Sequence, residues 1–151
     1  DGEPFKHGMK VQPDFIKPNI KEASRFLGRV LETRDDAFDA CYELHELLAP
    51  GGVAIVSMGA RGAAAYTPEG MMFAEPIEIE ASSTIGSGDS LAGAFLAALE
   101  SGHDLKTALA WGSAGGAATA MTDGAEIGRK EEFDRLLPRA EVREIRSEPK
   151  F

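Results

Sequence analysis

Thr84-Ile85-Gly86-Ser87-Gly88-Asp89-Ser90 runs directly into a stretch where Leu91, Ala94, Phe95, Ala98 and Leu99 recur at helical steps. Glycines on either side of a small residue let successive backbone N–H groups point to one spot. The helix that follows aims its free N–H groups and positive dipole end at the same place. Such a turn is an anion site suited to phosphate. Asp89 within it needs a reason, because a carboxylate repels a bound phosphate. Accepting a proton from an attacking hydroxyl is one reason. A Gly-rich turn with Asp89 as an ordinary N-cap explains these residues equally well. Leu91 stands where the dinucleotide fingerprint has its third Gly, and no Gly-Lys-Ser/Thr of a Walker loop occurs.

Two stretches upstream bear on the same question. Val53 to Val56 is an uninterrupted apolar, β-rich run, as in a strand buried on both faces, and Ser57-Met58-Gly59-Ala60-Arg61-Gly62 follows it. Ligands of open α/β sheets bind beyond the carboxyl ends of such strands. A tight connection into the next element explains that stretch as well. Lys17-Pro18-Asn19-Ile20-Lys21-Glu22 reads as a capping box, Asn19 to Glu22. Its functional reading makes Lys17 a phosphate partner, with Asn19 and Glu22 in the outer shell of a Mg²⁺, an ion that keeps several of its waters.

Around these stretches the spacing predicts a loop over residues 1–14 with one helical turn, and a short strand at Phe15–Lys17. A helix from Asn19 to Leu27 stops at Gly28. A second helix starts near Asp35-Asp36 with an apolar stripe of Phe38, Cys41, Leu44, Leu47 and Leu48. A hairpin follows over 63–74, turning at Pro68-Glu69-Gly70. Ile77-Glu78-Ile79-Glu80 alternates like a half-solvated strand. Helices follow at 90–100, from Asp104 to about Met121, and at 131–137, with a closing strand at 141–145. Strands alternating with helices imply an α/β layered fold with a mixed sheet.

Composition narrows the function. At 151 residues the length fits one domain, and 43% apolar with 27% charged residues describes an ordinary globular chain. A net charge of −9 argues against a nucleic-acid partner, which needs a cationic face. The longest apolar run falls far short of the ~20 residues of a membrane helix. The lone cysteine, Cys41, excludes an intrachain disulfide and every paired-cysteine metal pattern, which fits a reducing cytoplasm. Cys41 and His45 lie four apart on one helix, but two ligands are too few for a metal and packing explains Cys41. His7 and His103 stand alone in polar segments, Phe95 and Trp111 read as core aromatics, and 129–150 reads as a solvated charged face. Without a Gly-x-Ser-x-Gly elbow a serine hydrolase has no support.

Together, Lys17-Pro18-Asn19-x-x-Glu22, Val-x-Ser57-x-Gly59-x-x-Gly62 and Ser83-Thr84-x-Gly86-x-Gly88-Asp89-Ser90 resemble the carboxyl-terminal half of the PfkB (ribokinase) family of carbohydrate kinases. Gly115 to Thr119 and Glu141 to Ile145 are similar to its later segments. The phrasing is most like the phosphosugar kinases of phosphofructokinase and tagatose-6-phosphate kinase type. The resemblance implies a three-layer α/β/α sandwich, of which residues 1–151 are the ATP-binding, carboxyl-terminal part. It implies Asp89 as catalytic base, the backbone of Gly86, Ser87 and Gly88 as anion hole, and Glu22 as the acid linked to Mg²⁺. Lys17, Asn19, Ser57, Gly59, Gly62, Thr84, Ser113 and Gly116 fall at ATP contacts. The neighbourhood of Ser83, Ile85 and Thr119–Gly124 falls where some members hold a monovalent cation. Ser87 departs from the family's usual Ala, but the backbone donors are expected to survive.

The partners implied are ATP and a sugar phosphate. Family members are about twice this length, and Asp1 is not an initiator Met. The expectation is therefore a fragment whose amino-terminal half lies elsewhere, inactive alone and prone to self-association through an uncovered sheet edge. Two other readings stand beside this one: a non-catalytic nucleotide- or anion-binding module, and a dinucleotide-dependent oxidoreductase disfavoured by the absent third Gly.

Overall fold

Several helix starts in this chain are set by a side chain one residue ahead of the helix. The structure, a computed structural model describing residues 2–123 and 127–145, runs α1 (Glu3–Met9), β1 (Phe15–Ile16), α2 (Ile20–Leu27), α3 (Arg34–His45), β2 (Val53–Ser57), β3 (Ala63–Thr67), β4 (Gly70–Ala74), α4 (Ser87–Glu100), α5 (Leu105–Ala120), α6 (Lys130–Leu136) and β5 (Val142–Ile145). Asn19 caps α2: its Oδ1 accepts from the Glu22 N–H at 2.9 Å, and the Glu22 carboxylate accepts from the Asn19 N–H at 3.0 Å. Gly28 ends the helix in the left-handed region, φ 71°. Thr33 and Asp36 form a second capping box, so α3 starts ahead of the expected Asp35-Asp36. The N–H groups of Glu32 and Thr33 hold the Asp36 carboxyl below its usual range. Asp104 caps α5, accepting from the Thr107 N–H at 2.8 Å.

The strand order is β1-β2-β3-β4-β5, with β1 parallel to β2 and β2 antiparallel to β3, the mixed sheet that the alternation implies. The described chain divides into two compact units. The first holds the residues up to Met58, then Ala63–Phe73, then the stretch from Glu144; the second holds Gly59–Gly62 and Ala74–Arg143.

In the first unit every residue of β2 is buried, and α2 and α3 cover the sheet with Ala23, Ala37, Ala40, Cys41 and Leu44. Burying apolar side chains contributes roughly 25 cal/mol per Å² removed from water, so this contact stabilises the unit. The Cys41 thiol is fully buried and donates to the Ala64 carbonyl at 3.3 Å; burial pushes its pKa up to about 12. It therefore packs and does not ligate. α3 stops at His45, so Leu48 reaches the core from beyond the helix while Leu47 stays exposed.

In the second unit, α4 and α5 pack closely. α5 continues through Gly112, Gly115 and Gly116, where the sequence alone predicts weakness. A Cβ at these three positions would lie within 3.0–3.1 Å of the carbonyl oxygens of Leu91, Ser90 and Ser87, so the glycines are what let the helices meet. Two expectations fail. Residues 3–9 form two turns of helix rather than one turn within a loop, opened by Pro4 in the first turn. Ile77–Glu80 is not a strand: Ile77 and Ile79 pack with Ala114, Ala118 and Leu136, while Arg139 donates to the Glu78 carbonyl at 2.6 Å. The alternation is real, but helix contacts satisfy it.

Candidate functional site

In the first unit the residues past the carboxyl ends of β1 and β2 lie side by side. The register Phe15↔Val53, Ile16↔Ala54 continues as a bridge between Asn19 and Ser57, and the Ser57 N–H donates to the Pro18 carbonyl at 3.1 Å. Lys17, Asn19 and Ser57 are thus gathered at one sheet end, the place where α/β folds bind ligands. Glu22 returns from the first turn of α2 to the same spot. One carboxylate oxygen is held by the Asn19 N–H, and the residue is half-buried. No cluster of three or more His, Cys, Asp or Glu that could hold a metal exists among the described residues. A single carboxylate suits Mg²⁺ carried mostly by phosphates and water, and does not suit an all-protein cage.

In the second unit Gly59–Arg61 is one 3₁₀ turn, with Gly59 at φ 59° and Gly62 at φ 98°; the Gly62 N–H donates to the Gly59 carbonyl at 3.2 Å. Gly86 caps α4 in the left-handed region at φ 79°, so Ser87, Gly88 and Asp89 are themselves the first turn of the helix. The Ser87 hydroxyl donates to the Thr84 carbonyl at 2.9 Å, and the Ser87 N–H points at the same oxygen at 3.3 Å. The extra hydroxyl is folded into its own turn and leaves the next donors alone. With glycine as the cap, no side chain among the described residues takes the N–H groups of Gly88 and Asp89. Those open donors fit an anion; Gly88 belongs to the Gly86–Gly88 span and Asp89 directly follows it.

Asp89 occupies the third helical position, so it is not the N-cap of the simpler reading. Glu22 and Asp36 occupy the same position in α2 and α3, and each carboxylate is tied back to its cap N–H. Asp89 is exposed and has no hydrogen-bond or ion-pair partner among the described residues. A free carboxylate beside open N–H groups can take a proton from a hydroxyl presented to that anion site. Gly116 on α5 packs against Ser87, with Ser113 one turn earlier, both half-buried.

Residue-by-residue reading missed Ser90, whose hydroxyl lies 2.7 Å from that of Thr119. It placed Thr119 only in a loose cation neighbourhood that extends to Gly124, which lies outside the described residues. A buried Thr within a helix of small residues was the available signal. His103 and Trp111 lie 5.0 Å apart with their rings tilted by 45°, and Trp111 meets Phe133 edge-on at 5.5 Å, so these rings are packing groups. No helix among the described residues is long and apolar enough to cross a membrane.

Known proteins resemble this chain in sequence and in fold. The sequence matches the family model described as pfkB family carbohydrate kinase over residues 4–131. It is 30% identical over 141 residues to a 1-phosphofructokinase of Bacillus subtilis, covering 93% of this chain and 45% of that protein. The structure is similar to a crystal structure of phosphofructokinase-2 from Escherichia coli in complex with potassium, with a TM-score of 0.83 and 25% identity over 92% of this chain and 45% of that one. It is also similar to a ribokinase from Thermotoga maritima, with a TM-score of 0.69, 26% identity and coverage of 83% and 42%. The α/β fold is therefore ribokinase-like, and the chain spans less than half the length of these relatives. With a family model matched across most of its length, the chain belongs to the pfkB family of carbohydrate kinases.

Proposed function

We propose that this chain is the nucleotide-binding, carboxyl-terminal part of an ATP-dependent phosphosugar kinase of phosphofructokinase type. The observation that carries the reading is Asp89 at the open start of α4, untied where Glu22 and Asp36 are tied. In this reading the Asp89 carboxylate accepts the proton of the sugar-phosphate hydroxyl as that oxygen attacks. The N–H groups at the start of α4, from the Gly86-Ser87-Gly88 turn, stabilise the charge on the phosphoryl group in flight. ATP with Mg²⁺ supplies the phosphoryl group and neutralises part of its charge. Lys17, Asn19, Ser57, Gly59, Gly62, Thr84, Ser113 and Gly116 hold the nucleotide, and Glu22 orients the metal's water shell. A monovalent cation near Ser83, Ile85 and Thr119 is supported by the potassium complex of the structural relative.

The sugar contacts belong to an amino-terminal part supplied from outside these residues, so the chain alone is inactive and self-associates. The enzyme works in the cytoplasm. The test is Asp89→Asn in the full-length kinase carrying this chain. The amide keeps the shape but cannot take the proton, so kcat falls by about 10²–10⁴-fold while ATP binding is kept. A variant that keeps wild-type kcat overturns the assignment.

A further inference from the structure

We infer that Thr119 is a positioning residue for Asp89, acting through Ser90. The inference rests on Asp89 being the base. Asp89 has no tether among the described residues, so its place is set by the turn that bears it. That turn is closed by the Ser90 N–H donating to the Gly86 carbonyl at 3.0 Å. Thr119, only 2% exposed, bonds the Ser90 end of it and lies next to the space beside Gly86 at the other. Its Oγ1 lies 2.7 Å from Ser90 Oγ, and its Cγ2 lies 3.8 Å from where a Cβ of Gly86 would stand.

Thr119 is itself fixed from several directions. Its Oγ1 accepts from the Gly128 N–H at 3.0 Å, and its carbonyl accepts from the Thr122 N–H at 3.0 Å and the Thr122 hydroxyl at 2.7 Å. Gly128 is pressed so close that a Cβ would lie 2.6 Å from the Thr119 nitrogen. The adjoining Ala120 carbonyl accepts from the N–H groups of Ser82 and Ser83 at 2.8 and 3.2 Å, which pins the chain entering the anion turn. Two consecutive residues at the end of α5 therefore hold the entry to that turn and the Ser90 end of the helical turn carrying Asp89. A threonine hydroxyl has one proton and two acceptor sites, enough for Ser90 and Gly128 together. Valine keeps the shape and loses both bonds.

The experiment uses Thr119→Val, Thr119→Ser and Ser90→Ala in the full-length kinase, alone and with Asp89→Asn. Displacing a reacting group by an ångström costs up to about 10²-fold, so Thr119→Val is expected to lower kcat by about 10- to 100-fold with KM for ATP unchanged. Thr119→Ser restores the rate because it restores the hydroxyl. On the Asp89→Asn background Thr119→Val costs nothing further, since both act through one carboxylate. Wild-type kcat in Thr119→Val, or equal damage in Thr119→Ser, overturns the inference. If Thr119→Val does not fold, Ser90→Ala removes the partner hydroxyl, and the same split of kcat from KM decides. An inactive Asp89→Asn beside an unaffected Thr119→Val overturns the positioning role alone. An active Asp89→Asn overturns the base assignment, and this inference with it.

Discussion

Gly116 on α5 faces the carbonyl of Ser87 so closely that a Cβ built on it would lie 3.1 Å from that oxygen. Ser87 opens the helical turn that carries Asp89, so the packing of two helices and the geometry of the candidate site meet at one contact.

Gly116→Val is expected to force α5 away from the anion turn. Overpacking of this kind costs about 1–3 kcal/mol, read as a lower urea midpoint of the full-length enzyme, and kcat falls with it. Gly93 on α4 is the control, with nothing among the described residues within 4 Å of its would-be Cβ. Gly93→Ala should stabilise by about 0.5–1 kcal/mol with activity kept. A stability gain from both substitutions would show that the α4–α5 contact is not tight.

Gly86 is left-handed at φ 79°, and the nearest side-chain atom to its would-be Cβ, on Thr119, is at an ordinary contact distance. The cost of Gly86→Ala is therefore backbone strain, about 1–2 kcal/mol. Gly86→Asn should lose less, because asparagine enters this region more readily. Thermal unfolding of the two variants separates strain from crowding; equal losses would point to crowding.

Glu22 has two claims on its carboxylate, the capping box and the metal. Glutamine serves a capping box as well as glutamate does. Glu22→Gln should leave the denaturation midpoint unchanged and raise the Mg²⁺ concentration needed for half-maximal rate. An unchanged Mg²⁺ requirement would leave Glu22 as a helix cap only.

Burial raises the Cys41 pKa from 9.0 to about 12, so the folded protein keeps the thiol proton that the unfolded chain gives up first. This contribution to stability is fully present below the unfolded value and is lost as pH rises through the interval up to the folded one. The slope is at most about 1.4 kcal/mol per pH unit. Cys41→Ala should flatten the alkaline limb of the stability curve, and native Cys41 should resist iodoacetamide until the protein unfolds. Rapid alkylation of the native protein would contradict its burial.

Local features were legible because their partners lie within a few residues. Asn19 and Glu22 are three apart, Gly28 needs only its own backbone, and the turn at Pro68-Glu69 joins two adjacent strands. Val53 to Val56 declared a buried strand by composition alone, and the ordered glycine motifs carried the family. Thr33 was overlooked because the acidic pair behind it drew the helix start past Arg34. The motif also pointed to Asp89, but whether that carboxylate is tied back or left open depends on the fold of the turn around it.

Tertiary structure decided what depends on distant neighbours. Ile77 and Ile79 carry a strand's alternation, yet helices of the second unit take up their side chains and no strand forms. Gly112, Gly115 and Gly116 weaken a helix by propensity, yet α5 runs through them because α4 lies against their bare backbone. The Ser90–Thr119 pair joins residues 29 apart in the chain. Spacing along a sequence encodes bonds that close over one turn; a bond between two helices exists only after packing has brought their backbones together.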